Sequence, residues 1–192
     1  MENNTSLDTS KRRFFIALLP PEEIQECAKE IQHYLAQTYD SRGAENSPPH
    51  ITLQPPFEWQ LDNVPILEQC IQTFADTRKS VPVILKGFGA FEPRVIYINV
   101  VKTAELLTLQ KDLMTYMKAS LGIVDQVSET RSFTPHMTVA FRDLTKKAFY
   151  DAWREFEHRP LDFEFTASGL TLLTHDGIRW NVSECFRFLG DV

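Results

Sequence analysis

A chain of 192 residues with 43% hydrophobic content and 14 phenylalanines carries enough apolar mass for a substantial core, which excludes a disordered polypeptide. Its formal charge of −6 excludes a protein that coats long nucleic acid through positive charge alone; a small phosphorylated ligand in a local basic pocket stays open. The three cysteines, Cys27, Cys70 and Cys185, form neither a Cys-x-x-Cys pair nor a zinc spacing, so free buried thiols in a reducing, cytoplasmic setting are expected.

In chain order, residues 1–11 begin polar and read as a flexible tail, leaving residues 12–192 as one folded unit of two intimate lobes. Lys11-Arg12-Arg13 ahead of Phe14–Leu19 has the outline of a signal peptide. The apolar run is short and stops at Pro20-Pro21, so a strand over 12–19 entering a helix fits better. No stretch approaches membrane-spanning length. Pro20-Pro21-Glu22-Glu23 suits a helix start, and Ile24, Cys27, Ala28, Ile31, Tyr34 and Leu35 then recur at helical spacing to about Tyr39. A polar loop over 40–46 leads to a strand at 50–54, which Pro55-Pro56 is expected to stop.

Asp62-Asn63-Val64-Pro65 opens a second helix with Ile66, Cys70, Ile71 and Phe74 on its apolar face. Two strands follow over 81–91 and 94–101, the second so apolar that both of its faces are expected to be covered. Thr103 caps a helix over 104–121, a loop covers 122–133, and a strand runs over 136–141. Thr145 caps a short helix reaching Phe156. Two long strands, 161–174 and 178–188, flank the hairpin signal His175-Asp176-Gly177. The order β-α-β-α-β-β-α-β-α-β-β predicts an α+β fold: a bilobal, pseudo-twofold duplication, with two antiparallel sheets backed by helices around a central cleft.

Two of those strands begin with the same words. Pro49-His50-Ile51-Thr52 and Pro135-His136-Met137-Thr138 are both Pro-His-x-Thr. With 5 His, 11 Pro and 16 Thr in the chain, chance supplies roughly 0.02 such matches. In a strand, His and Thr two residues apart share a face, so each copy offers one imidazole and one hydroxyl. Two such sets suit acid–base work on a phosphate: one imidazole as base, one imidazolium as acid, and hydroxyls on the non-bridging oxygens. A bell-shaped dependence of rate on pH follows. Arg142 and Arg131 are the candidate cations nearby. Phe133, Phe57 and Trp59 border the motifs and could stack a base, with core packing the better account of each. His33, His158 and His175 are expected to face solvent, and no spacing supports a metal.

The two motifs, with Arg13-Phe14-Phe15-Ile16-Ala17-Leu18 at the start and Phe133-Thr134-Pro135-His136-Met137-Thr138-Val139-Ala140 around the second copy, resemble the 2H phosphoesterase superfamily. The resemblance is to its 2′-5′ RNA ligase or RNA 2′,3′-cyclic phosphodiesterase group, and it spans residues 12–188. It implies a bilobal fold with the motifs facing across a cleft, and metal-free, cofactor-free chemistry on 2′,3′-cyclic or 2′,5′-linked phosphates. His50 and His136 would be catalytic, with Thr52, Thr138, Arg142, Arg131 and Phe133 binding substrate. Some relatives carry a basic residue five positions after the second histidine; here Phe141 stands there and Arg142 follows, which strand alternation would place on the face of His136 and Thr138. The expected partner is RNA with a cyclic phosphate end or a small cyclic nucleotide, met by a monomer. The alternative is a non-catalytic module that senses a nucleotide or RNA end in the same cleft.

Overall fold

The computed structural model describes residues 10–125 and 132–190. The elements are β1 (Lys11–Leu18), α1 (Glu22–Tyr39), β2 (Ile51–Gln60), α2 (Val64–Asp76), β3 (Val81–Phe91), β4 (Val95–Val100), α3 (Ala104–Leu121), β5 (His136–Ala140), α4 (Lys146–Phe156), β6 (Asp162–Ala167), β7 (Gly169–His175) and β8 (Trp180–Arg187). They form two antiparallel four-stranded sheets, ordered β2-β1-β7-β8 and β5-β4-β3-β6. The α+β fold of two sheets backed by helices is as expected. Both Pro-His-x-Thr strands lie at a sheet edge, and these two edges contact one another.

Alternation along β1 sorts its side chains. Phe14, Ile16 and Leu18 enter the main core, while Phe15 and Ala17 join Leu173 in a small second cluster on the opposite face. That second face is the wall of the cleft. Helices back the other side, two of them crosswise. Helix α1 follows β1 yet packs on β5 of the other sheet, and α3 follows β4 and packs on β2 as well as on β3 of its own sheet. Thr103 and Thr145 cap α3 and α4 through their side chains, accepting from the Leu106 and Ala148 amides.

The exchanged helices also complete the hydrogen bonding of the two edges. An edge strand leaves backbone carbonyls unpaired, which is costly once they are buried. Gln32 of α1, only 3% exposed, donates through Nε2 to the Thr138 carbonyl at 3.2 Å. Gln110 of α3 donates to the Leu53 carbonyl at 3.4 Å. A further tie joins the approach to β2 with the exit from β5. The Asp143 carboxylate accepts from Ser41 Oγ at 3.0 Å and from the Arg42 and Gly43 amides at 2.6 and 2.7 Å. Ser41 Oγ in turn accepts from the Phe141 amide.

Four expectations change. Pro55-Pro56 do not end a strand, because β2 runs on to Gln60. It is an edge strand with register shifts against β1, the setting in which a missing N–H costs no ladder bond. The stretch 161–174 is two strands in different sheets: β6 pairs with β3, and after Ser168 β7 pairs with β1. Gly169 permits this crossing, since a Cβ there would lie 2.5 Å from the Phe186 carbonyl oxygen. The cysteines are free, but none is fully buried: Cys27 and Cys70 are half-buried, and Cys185 is exposed with Thr171 Oγ1 3.7 Å from its sulfur. Ser10 and Lys11 already belong to the folded unit, Ser10 bonding Gln60 and Lys11 opening β1; the rest of the expected tail lies outside the described residues.

Candidate active site

The two histidines are held in the same way. His50 Nδ1 lies 2.7 Å from the Pro48 carbonyl, and His136 Nδ1 lies 2.7 Å from the Thr134 carbonyl. A carbonyl can only accept, so each Nδ1 carries the proton and each neutral ring presents Nε2 as a lone pair. Neither Nε2 has a hydrogen-bond partner among the described residues, and the same holds for the Thr52 and Thr138 hydroxyls. Thr52 stands opposite Ala17 on β1, and Thr138 opposite Tyr97 on β4. Each sheet edge thus contributes one basic nitrogen and one free hydroxyl, and the rings are close enough that charge on His136 disfavours charge on His50.

Aromatic rings fix the imidazoles. Phe15 lies 4.7 Å from His50, while Phe91 and Tyr97 lie 5.0 and 5.2 Å from His136, centroid to centroid. Tyr97 reaches that place because Gly89 on β3 has no side chain; a Cβ there would lie 2.4 Å from the tyrosine ring. Burial among these rings pushes the His50 pKa down from 6.5 to about 4, against the opposing effect of the hydrogen bond that His50 donates to the Pro48 carbonyl. Burial also lowers that of His136. Both rings are therefore neutral at pH 7 until an anion enters.

This has a consequence for stability. The unfolded chain protonates His50 near 6.5 while the folded one resists until about 4, so stability is present above pH 6.5 and lost as pH falls towards 4. The loss from His50 is about 2 kcal/mol by pH 5 and about 3 kcal/mol in full. His136 adds to it in the same direction. Urea unfolding at pH 7.5 and pH 5 measures this, and His50→Gln should flatten the difference. Equal stability of the unsubstituted protein at the two pH values would contradict the burial of these rings.

The other expected site residues fare differently. Strand β5 ends at Ala140, so alternation does not carry Arg142 onto the His136 face; Arg142 is exposed with its guanidinium over the Phe141 ring. Arg131 lies outside the described residues. Phe133, Phe57 and Trp59 pack partly buried against the main core. His33 and His158 are exposed, whereas His175 is half-buried, accepting at Nδ1 from Arg13 Nη2 and the Gly177 amide, both at 3.1 Å. Arg13, Phe15, Phe91, Tyr97 and Trp180 are the neighbours that the sequence reading did not single out. Arg13 and Phe15 fall within the stretch that carries the family resemblance, but nothing local gives any of the five a role. Among the described residues no three or more His, Cys, Asp or Glu are grouped to hold a metal ion, and no helix is long and apolar enough to cross a membrane.

Residues 20–179, which include both motifs, match the family model described as the 2′-5′ RNA ligase superfamily. A protein of Geobacillus sp. (strain WCH70), provisionally named a phosphoesterase, is 29% identical over 177 residues, covering 91% of this chain and 95% of its own. A similarly named protein of Geobacillus kaustophilus is 28% identical over the same span. Among solved structures, the Thermus thermophilus protein TT0787 superimposes with a TM-score of 0.67 at 22% identity, covering 94% of this chain and all of its own. Escherichia coli LigT in complex with 3′-AMP gives 0.64 at 20% identity, covering 93% and 98%. At these identities the solved structures speak for the fold.

Proposed function

The chain belongs to the 2′-5′ RNA ligase superfamily, the 2H phosphoesterases, and from that premise we propose that it is a phosphoesterase that opens 2′,3′-cyclic phosphates at RNA ends or in small nucleotides without a metal. The observation that carries this reading is the matched pair of imidazoles, each with Nδ1 occupied by a carbonyl and Nε2 free. Nucleotide as occupant agrees with the 3′-AMP held by the E. coli neighbour.

Hydrolysis requires a water to lose a proton as it attacks phosphorus, and a ribose oxygen to gain one as it leaves. His50, the ring pushed furthest towards neutrality, takes the water proton at Nε2. His136 delivers a proton from Nε2 to the departing oxygen. It acquires that proton when the anionic substrate binds, because a nearby negative charge raises an imidazole pKa. The Thr52 and Thr138 hydroxyls donate to the non-bridging oxygens as their charge grows. Arg13, which shares the cleft face of β1 with Phe15, is assigned with Arg131 to balance the phosphate charge. With a 5′-hydroxyl in place of water as the nucleophile and the 3′ oxygen leaving, the same groups would form a 2′-5′ linkage, and in reverse would open one to the cyclic phosphate.

Turnover of 2′,3′-cyclic AMP and of a cyclic-phosphate-ended oligonucleotide in the presence of EDTA tests the reading. A single phosphomonoester product formed at an undiminished rate in EDTA is expected. Saturable nucleotide binding with no turnover of either substrate would move the assignment to a sensing module.

A further inference from the structure

A pocket of about 300 Å³ lies beside the first motif, bounded by α1, the turn leading into β2 and the β7–β8 hairpin. It borders the cleft at two points. Its wall includes Pro48, whose carbonyl holds His50. It also includes Trp180, which packs edge-on against Phe15 at 4.6 Å, and Phe15 is the ring against His50.

The chemistry of this wall is specific. Lys29 and Arg179 both line it and are both exposed, and neither has a carboxylate partner among the described residues. The carboxylate in the wall, Glu45, lies 3.4 Å from His33 Nδ1. The Trp180 ring is set by its neighbours: His175 meets it at 4.8 Å, and the Arg13 guanidinium lies 5.5 Å from its centroid. Two unpaired cations beside an immobilised indole are what a phosphate with an attached base would use, the cations for charge and the ring for stacking. Nothing in the two-histidine mechanism requires any of the three.

We propose that this pocket is a second subsite, which takes the nucleotide preceding the reacting cyclic phosphate. Lys29 and Arg179 hold its linking phosphate and Trp180 stacks its base. This rests on the cyclic-phosphate reading above and gives it a direction: the preferred substrate is the end of an oligonucleotide, not a mononucleotide.

Kinetics on 2′,3′-cyclic AMP and on the adenylate dinucleotide ending in a 2′,3′-cyclic phosphate test it. The unsubstituted protein should favour the dinucleotide in kcat/KM by about tenfold or more. The double variant Lys29→Glu with Arg179→Glu, both at exposed positions, should abolish that preference by raising KM for the dinucleotide. Trp180→Leu should reduce the preference about tenfold as well. The proposal is overturned if the protein shows no preference, or if the double variant loses activity equally on both substrates or on neither. If neither substrate is turned over, the phosphoesterase reading fails while the subsite stays testable. Calorimetric binding of the adenylate dinucleotide 3′-phosphate should still weaken at least tenfold in the double variant, and unchanged binding would overturn the subsite.

Discussion

Alanine in place of His50 or of His136 lowers kcat on a 2′,3′-cyclic phosphate by about two to four orders of magnitude, and the double substitution costs little more than either alone. The first part follows from what each ring supplies. One Nε2 removes a proton, the other returns one, and no other described group near either ring can take over. The second part follows because the two transfers serve one transition state; once either is missing, the remaining ring has no partner to work against. Loss of a buried ring could also disturb the fold, so an asparagine series separates the two causes. An asparagine amide occupies about the place of Nδ1 and can still donate to the Pro48 or Thr134 carbonyl that now receives the imidazole N–H. It offers nothing at Nε2. His50→Asn and His136→Asn should therefore be as inactive as the alanine variants while keeping the unfolding midpoint closer to that of the unsubstituted protein. A loss below tenfold in either asparagine variant would remove that histidine from the proton transfers.

Much of this site was legible in the chain because strand periodicity is a strong rule. A His-x-Thr pair must share a face, and Ile51, Leu53, Met137 and Val139 between them are indeed fully buried. What was not legible depended on tertiary placement. Phe15 sits in an unbroken apolar run, and nothing local distinguishes the residue that lines a cleft from Phe14 and Ile16 in the core. Tyr97 reaches His136 because Gly89 leaves room for its ring on β3, and Phe91 meets His136 from two strands away. A glutamine on a helix reads as solvent-facing, yet Gln32 and Gln110 are buried because each meets a carbonyl that an edge strand cannot pair. The division of 161–174 between two sheets was concealed by continuous β-favouring sequence on both sides of Ser168. Arg142 depended on how far β5 ran, and a strand end is where sequence periodicity is least informative.

The threonines yield a different pattern from the histidines. Thr52→Val and Thr138→Val should each lower kcat by about a hundredfold, with KM less affected, and the double variant should lose close to the product of the two. Valine keeps the β-branched shape and a strand preference. The Thr52 and Thr138 hydroxyls have no partner within the described protein, so their removal breaks no internal hydrogen bond. What disappears is a donor to a non-bridging oxygen, whose charge is larger in the transition state than in the ground state. That difference places the loss on kcat rather than on binding. Near-multiplicative losses follow if the two hydroxyls, on opposite sheet edges, meet different oxygens, because independent contacts add in free energy. Serine restores the donor without the methyl group, so Thr52→Ser and Thr138→Ser should recover most of the activity. Valine variants within threefold of the unsubstituted protein would leave these threonines with only the structural role that their strands require. A double variant no worse than the singles would instead place both hydroxyls on a single oxygen, and the symmetry of the two motifs would then not extend to the bound phosphate.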